Sequence, residues 1–120
     1  MENKIYCLST CSTCDRILAD LREGIRGFGL QDIKTEKITG PQLEEMRKRA
    51  GSFEALFSRR ARKFQEMGLK DKKLEENDFR RLILEEYTFL KRPVFLVGKE
   101  IFIGSEKKAL DALRKRLGLP

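Results

Sequence analysis

A short apolar run that gives way within a few residues to a helical pattern constrains this chain more than any other feature. Residues 4–9, KIYCLS, are apolar and aromatic enough for a buried strand. From about Cys11 or Ser12 the pattern changes. Cys14, Leu18, Leu21 and Ile25 recur at spacings of four, three and four, which places them on one helix face. Gly24, Gly27 and Gly29 then interrupt it. A strand that feeds directly into an amphipathic helix is the opening of an α/β fold.

The remainder continues in that sense. Residues 31–38, QDIKTEKI, alternate weakly and fit a second strand. Gly40-Pro41 opens a helical region, since proline lacks only an N–H that would find no partner in a first turn. Leu43, Met46, Ala50, Phe53 and Phe57 form its apolar stripe, with a break expected at Gly51. A further turn carries Phe64 and Met67 and ends near Gly68. Lys70 to Asn77 reads as a loop, and a helix from about Asp78 sets Phe79, Leu82, Ile83, Tyr87 and Leu90 on one side. Val94 to Val97 and Ile101 to Ile103, separated by Gly98-Lys99-Glu100, predict a hairpin. Ser105 is placed to cap a last helix with Leu110, Leu113 and Leu117 inward and Gly118 at its end. The expected order is strand, helix, strand, helical block, strand, strand, helix, in one α/β domain over residues 1–120 with about four strands.

A chain of 120 residues suits one modest core. No apolar run reaches the roughly 20 residues that span a bilayer, and Met1 to Lys4 lacks the apolar stretch of a secretory signal. A cytoplasmic protein without membrane contact is expected. Thiols stay reduced there, so closely spaced cysteines point to redox chemistry or metal rather than to a structural staple. The net charge of +7 arises from clusters such as Arg47-Lys48-Arg49 and Arg114-Lys115-Arg116, most of them interleaved with acids. Solvated faces account for these clusters, and direct nucleic-acid binding is not expected. The chain has no histidine, which removes every mechanism that needs imidazole as base or metal ligand.

Cys11-Ser12-Thr13-Cys14 carries the chemistry. The first turn of a helix presents backbone N–H groups without intrahelical partners, and their positive end favours a thiolate. Cys11 is therefore the expected nucleophile. Residues three apart share a helix face, so Cys14 can close a disulfide with it. Ser12 and Thr13 add hydroxyl donors for a thiolate or a bound oxyanion. Cys7, inside the first strand, reads as a small buried hydrophobe. Zinc is not expected, because three cysteines without histidine leave a fourth ligand to be found.

The whole chain resembles the arsenate reductase family of thioredoxin-like fold, which includes the Spx-type transcription regulators. Three stretches carry the likeness: Ile5 to Arg16, with Cys11 at the place of the family's catalytic cysteine; Ser58 to Leu69, in which Arg60 or its neighbour Arg59 matches a basic residue; and Lys91-Arg92-Pro93-Val94-Phe95. The resemblance implies a thioredoxin-like mixed sheet of about four strands with a helical insertion over about 40–90, that Pro93 is cis and faces the cysteine, that Arg92 points into the site, and that Arg60, Arg92 and Pro93 join Ser12 and Thr13 in binding substrate. It departs from the oxyanion-binding members at Phe102-Ile103-Gly104-Ser105, where a further arginine would stand. Cys14 is a second departure, towards the redox switch of the Spx type.

Two functions follow from the resemblance. The first is a thiol-dependent reductase, with Cys11 attacking an oxyanion such as arsenate or a disulfide, and with glutathione, glutaredoxin or thioredoxin as reductant and no bound cofactor. The second is a redox-sensing regulator that docks on RNA polymerase, with a Cys11–Cys14 disulfide as the switch.

Overall fold

The computed structural model describes residues 3–120, so the polar start read at Met1 and Glu2 lies outside the described residues. The first apolar run forms β1, Lys4–Cys7. Helix α1 follows over Ser12–Asp20 and strand β2 over Gly29–Asp32. Near the other end come β3, Val94–Val97, β4, Glu100–Ile103, and helix α5, Lys107–Leu117. The four strands make one mixed sheet in the order β2-β1-β3-β4. β1 runs parallel to β2 and antiparallel to β3, and β3 is antiparallel to β4. The chain divides into two compact units, one containing these elements and the other spanning Lys37–Lys91.

In the first unit the two periodicities meet. Residues two apart on a strand share a face. Ile5 and Cys7 of β1 and Phe95 and Val97 of β3 pack with Cys14, Ile17 and Leu21 from α1 and its end, and with Leu113 of α5. Gly24 lies close against the end of α5: a Cβ there would come within 2.9 Å of the Leu119 side chain, which would have to shift.

The second unit covers the stretch read from the sequence as a helical insertion. Its α-helices are α2, Gly40–Ala50, α3, Arg62–Glu66, and α4, Glu76–Glu85. Helix α2 begins with a reciprocal cap, in which the Gln42 N–H donates to the Thr39 hydroxyl and the Thr39 N–H to the Gln42 side chain. It stops at Gly51, whose φ of 96° suits a residue without a Cβ. The Glu76 carboxylate accepts the N–H groups of Phe53 and Glu54 at 2.7 and 3.1 Å. Phe57 is the aromatic centre, 4.9 Å from both Phe79 and Phe89 by ring centroid.

Several expected boundaries move. The second strand lies at Gly29–Asp32 instead of 31–38. Asp32 ends it because its carboxylate accepts the Lys34 N–H and its carbonyl the Thr35 and Glu36 N–H groups, which fold the polar remainder into a turn. Helix α1 stops at Asp20, so Ile25 packs from the following turn. Helix α4 starts two residues early, at Glu76, where Glu75 and Asp78 make their own capping box. Phe57 pairs with Leu90 in an isolated bridge and is not helical. Ser105 does not cap α5; Glu106 occupies that position and forms no side-chain capping bond.

Candidate active site

The site begins with a turn. β1 ends at Cys7, and the Cys11 N–H returns to the Leu8 carbonyl at 3.0 Å, leaving Ser9 and Thr10 exposed between them. Cys11 then takes the N-cap position of α1, with extended backbone (φ −99°, ψ 108°), and its carbonyl accepts the Asp15 N–H. Its side chain forms no full capping bond. The sulfur nevertheless lies where α1 begins. Partial burial alone would push the Cys11 pKa up. The amide and the thiol of Cys14, the Arg92 charge and the Thr13 amide outweigh that burial and hold it below the ordinary thiol value.

Cys14 behaves in the opposite way. It is fully buried, and burial, together with its hydrogen bond and charge interaction with Cys11, pushes its pKa up to about 12. At neutral pH the pair is one thiolate-prone sulfur resting on one protonated thiol. Cys7 is also buried; burial first, then the charges of Asp32 and Asp15, raise its pKa. Its Sγ donates to the Gln31 carbonyl at 3.7 Å, as a neutral buried thiol does. All three cysteines are free.

Arg92 reaches the site because of strand register. Tyr6 of β1 lies opposite Val94 of β3. Continuing that antiparallel register by two places brings Pro93 level with Cys7 and Arg92 level with Leu8, at the end of the sheet from which Cys11 projects. The Arg92 charge acts on both the Cys11 and the Cys14 sulfur. The Arg92–Pro93 bond is cis, Pro93 is buried, and its carbonyl accepts the Gly104 N–H at 2.9 Å. Ser12 is exposed and Thr13 half-buried, both in the first turn of α1.

The unit that holds the sheet thus gathers Cys11, Cys14, Ser12, Thr13, Arg92 and Pro93. Arg60 belongs to the other unit, exposed in the turn before α3. Its neighbour Arg59 is occupied, with an ion pair to Glu54 at 2.9 Å and its guanidinium over the rings of Phe64 and Phe79. One contributor is missing from the sequence reading. Asp32 reaches over from β2 and accepts the Ser9 N–H at 3.2 Å. A contact across 23 positions has no local signature.

A mixed sheet, a cysteine at the start of the helix after its first strand, and a cis-proline leading into the strand paired antiparallel with that first strand define a thioredoxin-like protein. The particular family follows from comparison: the sequence model of the ArsC family matches residues 6–113, and the chain belongs to that family. Over 102 residues it is 28% identical to the global transcriptional regulator Spx 2 of Bacillus anthracis, covering 83% of this chain and 77% of that protein. Among solved structures, arsenate reductase from Vibrio cholerae superposes with a TM-score of 0.76 at 16% identity, covering 95% of this chain and 97% of that one. An arsenate reductase (ArsC) related protein from Brucella melitensis gives 0.71 at 21% identity, with 96% of each chain covered. At such identities the superpositions speak for the fold.

Proposed function

We propose that the protein is a thiol-dependent reductase in which Cys11 is the nucleophile. The observation that supports this most directly is the contrast between the two sulfurs: Cys11 held below the ordinary thiol pKa, Cys14 beside it held well above. With a disulfide substrate, the Cys11 thiolate attacks one sulfur, forming a mixed disulfide and expelling the other sulfur as thiolate. A second thiol, from glutathione or a small thiol protein, then attacks the partner sulfur of the adduct, forms a disulfide with it and expels Cys11 as the reduced thiolate. With arsenate, the thiolate displaces an oxygen from arsenic, which leaves as water. The second thiol forms a disulfide with the Cys11 sulfur, and the sulfur–arsenic electron pair departs with arsenic, reduced from five- to three-valent. Arg92 is the guanidinium to hold oxygens of such an anion, with Ser12 and Thr13 as donors. A part for Arg60 rests on the sequence resemblance alone. No metal or bound cofactor enters these steps.

The test is turnover with arsenate and with a small disulfide, in glutathione and glutaredoxin. Cys11→Ser abolishes activity because it removes the covalent step. Cys14→Ser retains measurable activity because an external thiol resolves the adduct. Loss in both variants, or in neither, overturns the assignment.

The second reading is a redox-sensing regulator, and the likeness to Spx 2 proteins favours it. Here a Cys11–Cys14 disulfide alters docking on RNA polymerase. A protein that turns over neither substrate, yet changes its affinity for RNA polymerase on oxidation in a Cys14-dependent manner, is the outcome that selects this reading.

A further inference from the structure

We propose that Asp32 is a positioning residue for Cys11, holding from β2 the turn on which the nucleophile is mounted. The inference rests on the assignment of Cys11 as the reacting group. Its geometric basis is the bond that the Asp32 carboxylate makes to the exposed part of the turn, two residues before Cys11. The β1–β2 ladder closes where the Ile33 N–H meets the Cys7 carbonyl at 2.9 Å. Beyond it, Ser9 and Thr10 are exposed. The turn is held from within by the Cys11 N–H on the Leu8 carbonyl and, at its start, by buried Leu8, whose backbone bonds the Cys14 sulfur; neither fixes Ser9. The tie from outside is the Asp32 carboxylate on the Ser9 N–H at 3.2 Å. The same oxygen accepts the Lys34 N–H at 3.1 Å, so the side chain is anchored in its own turn while it reaches the other.

The carboxylate is suited to the task. The Ser9 hydroxyl foremost, then the Lys34 and Ser9 amides and the Thr35 hydroxyl, outweigh its slight burial and hold its pKa below the usual carboxylate range. It therefore stays ionised at neutral pH and makes charge-assisted bonds, roughly twice as strong as neutral ones. Cys11 gains its low pKa from amides at the start of α1 and from Arg92. Those gains depend on where the turn delivers the sulfur.

Charge and position make opposite demands, which renders the proposal testable. A carboxylate disfavours nearby thiolates, as Asp32 does for Cys7. Were Asp32 only a charge, its removal would speed the reaction of Cys11. As a positioning group, its removal slows it. The experiment is the pH profile of iodoacetamide alkylation at Cys11, read by mass spectrometry on the full chain, with folding followed by circular dichroism. In Asp32→Ala the rate at pH 7 falls about three- to tenfold, tenfold being one pKa unit. Asp32→Asn, which keeps an acceptor oxygen, stays within about twofold of the parent, since that acceptor preserves the tie. If Asp32→Ala does not fold, Asp32→Glu replaces it: the charge is kept but the oxygen is displaced by a methylene, and the same slowing is required. An unchanged Cys11 profile in these variants, with only a lower Tm, overturns the proposal, as does equal slowing in Asp32→Asn. Alkylation needs no identified substrate, so failure of the reductase assay leaves this result readable, and the converse holds.

Discussion

At the scale of single residues, three cysteines of one chain receive three different environments. Cys7 sits buried at the end of β1, Cys14 on the buried face of α1, and Cys11 half-exposed at the helix start. Nucleophilicity follows the thiolate fraction. Brief alkylation at pH 6 to 7, resolved by residue, is expected to modify Cys11 at least about tenfold faster than Cys7, the factor that one pKa unit supplies. Equal labelling, or faster Cys7, contradicts the assignment of the nucleophile. The placement of the cysteines was legible in the sequence, because strand, helix start and helix face can each be read from periodicity. The protonated Cys14 thiol donating towards Cys11 was not, since spacing shows only that the two can meet.

At the scale of elements, local chemistry and tertiary context divide the outcome. The Gly40-Pro41 opening and the Gly51 stop of α2 follow from backbone preferences that no packing needs to correct. The second strand was misplaced because Ile33 and Ile38 are buried from the turn and the irregular stretch after β2 and not from a strand. Its register is set by pairing with β1, Cys7 against Asp32, and Leu30 within the true strand is 61% exposed. The cap of α5 was misplaced by one residue because Ser105 is an excellent capping type in an unused position. These helix ends make a test. Thr39→Ala removes half of a reciprocal cap and should cost about 1 kcal/mol. Glu106→Ser supplies a capping hydroxyl where no side-chain cap exists and should gain roughly 0.5 to 1 kcal/mol. Urea unfolding of both variants checks the pair: midpoints moving in opposite directions are expected, and a stabilised Thr39→Ala or a destabilised Glu106→Ser contradicts this account of the caps.

At the scale of the whole molecule, composition clears the field around one titration. With no histidine among 120 residues, the side chains offer nothing of ordinary pKa between the carboxylates and the thiols. Cys11 alone is drawn down into that gap, while Cys7 and Cys14 are pushed away from it. Thiolate absorbance near 240 nm should therefore rise in two steps, the first lost in Cys11→Ser. Stability follows with signs that can be worked out. For Cys11 the folded chain gives up its proton more readily than the unfolded one, so its contribution is present above the ordinary thiol pKa and is lost as pH falls through the lowered folded value. For Cys7 and Cys14 the folded chain holds the proton longer. Their contribution is complete below about pH 9, the ordinary thiol range, and is lost as pH rises, for Cys14 towards about 12. Tm is thus expected to climb slightly from acid-neutral pH to the ordinary thiol pKa and then to fall. Cys11→Ser should flatten the climb and Cys14→Ala should shallow the fall, whatever either does to the absolute Tm. An alkaline limb equally steep in Cys14→Ala would show that the buried sulfur does not hold its proton as described, and would remove with it the donor on which the low pKa of Cys11 partly depends.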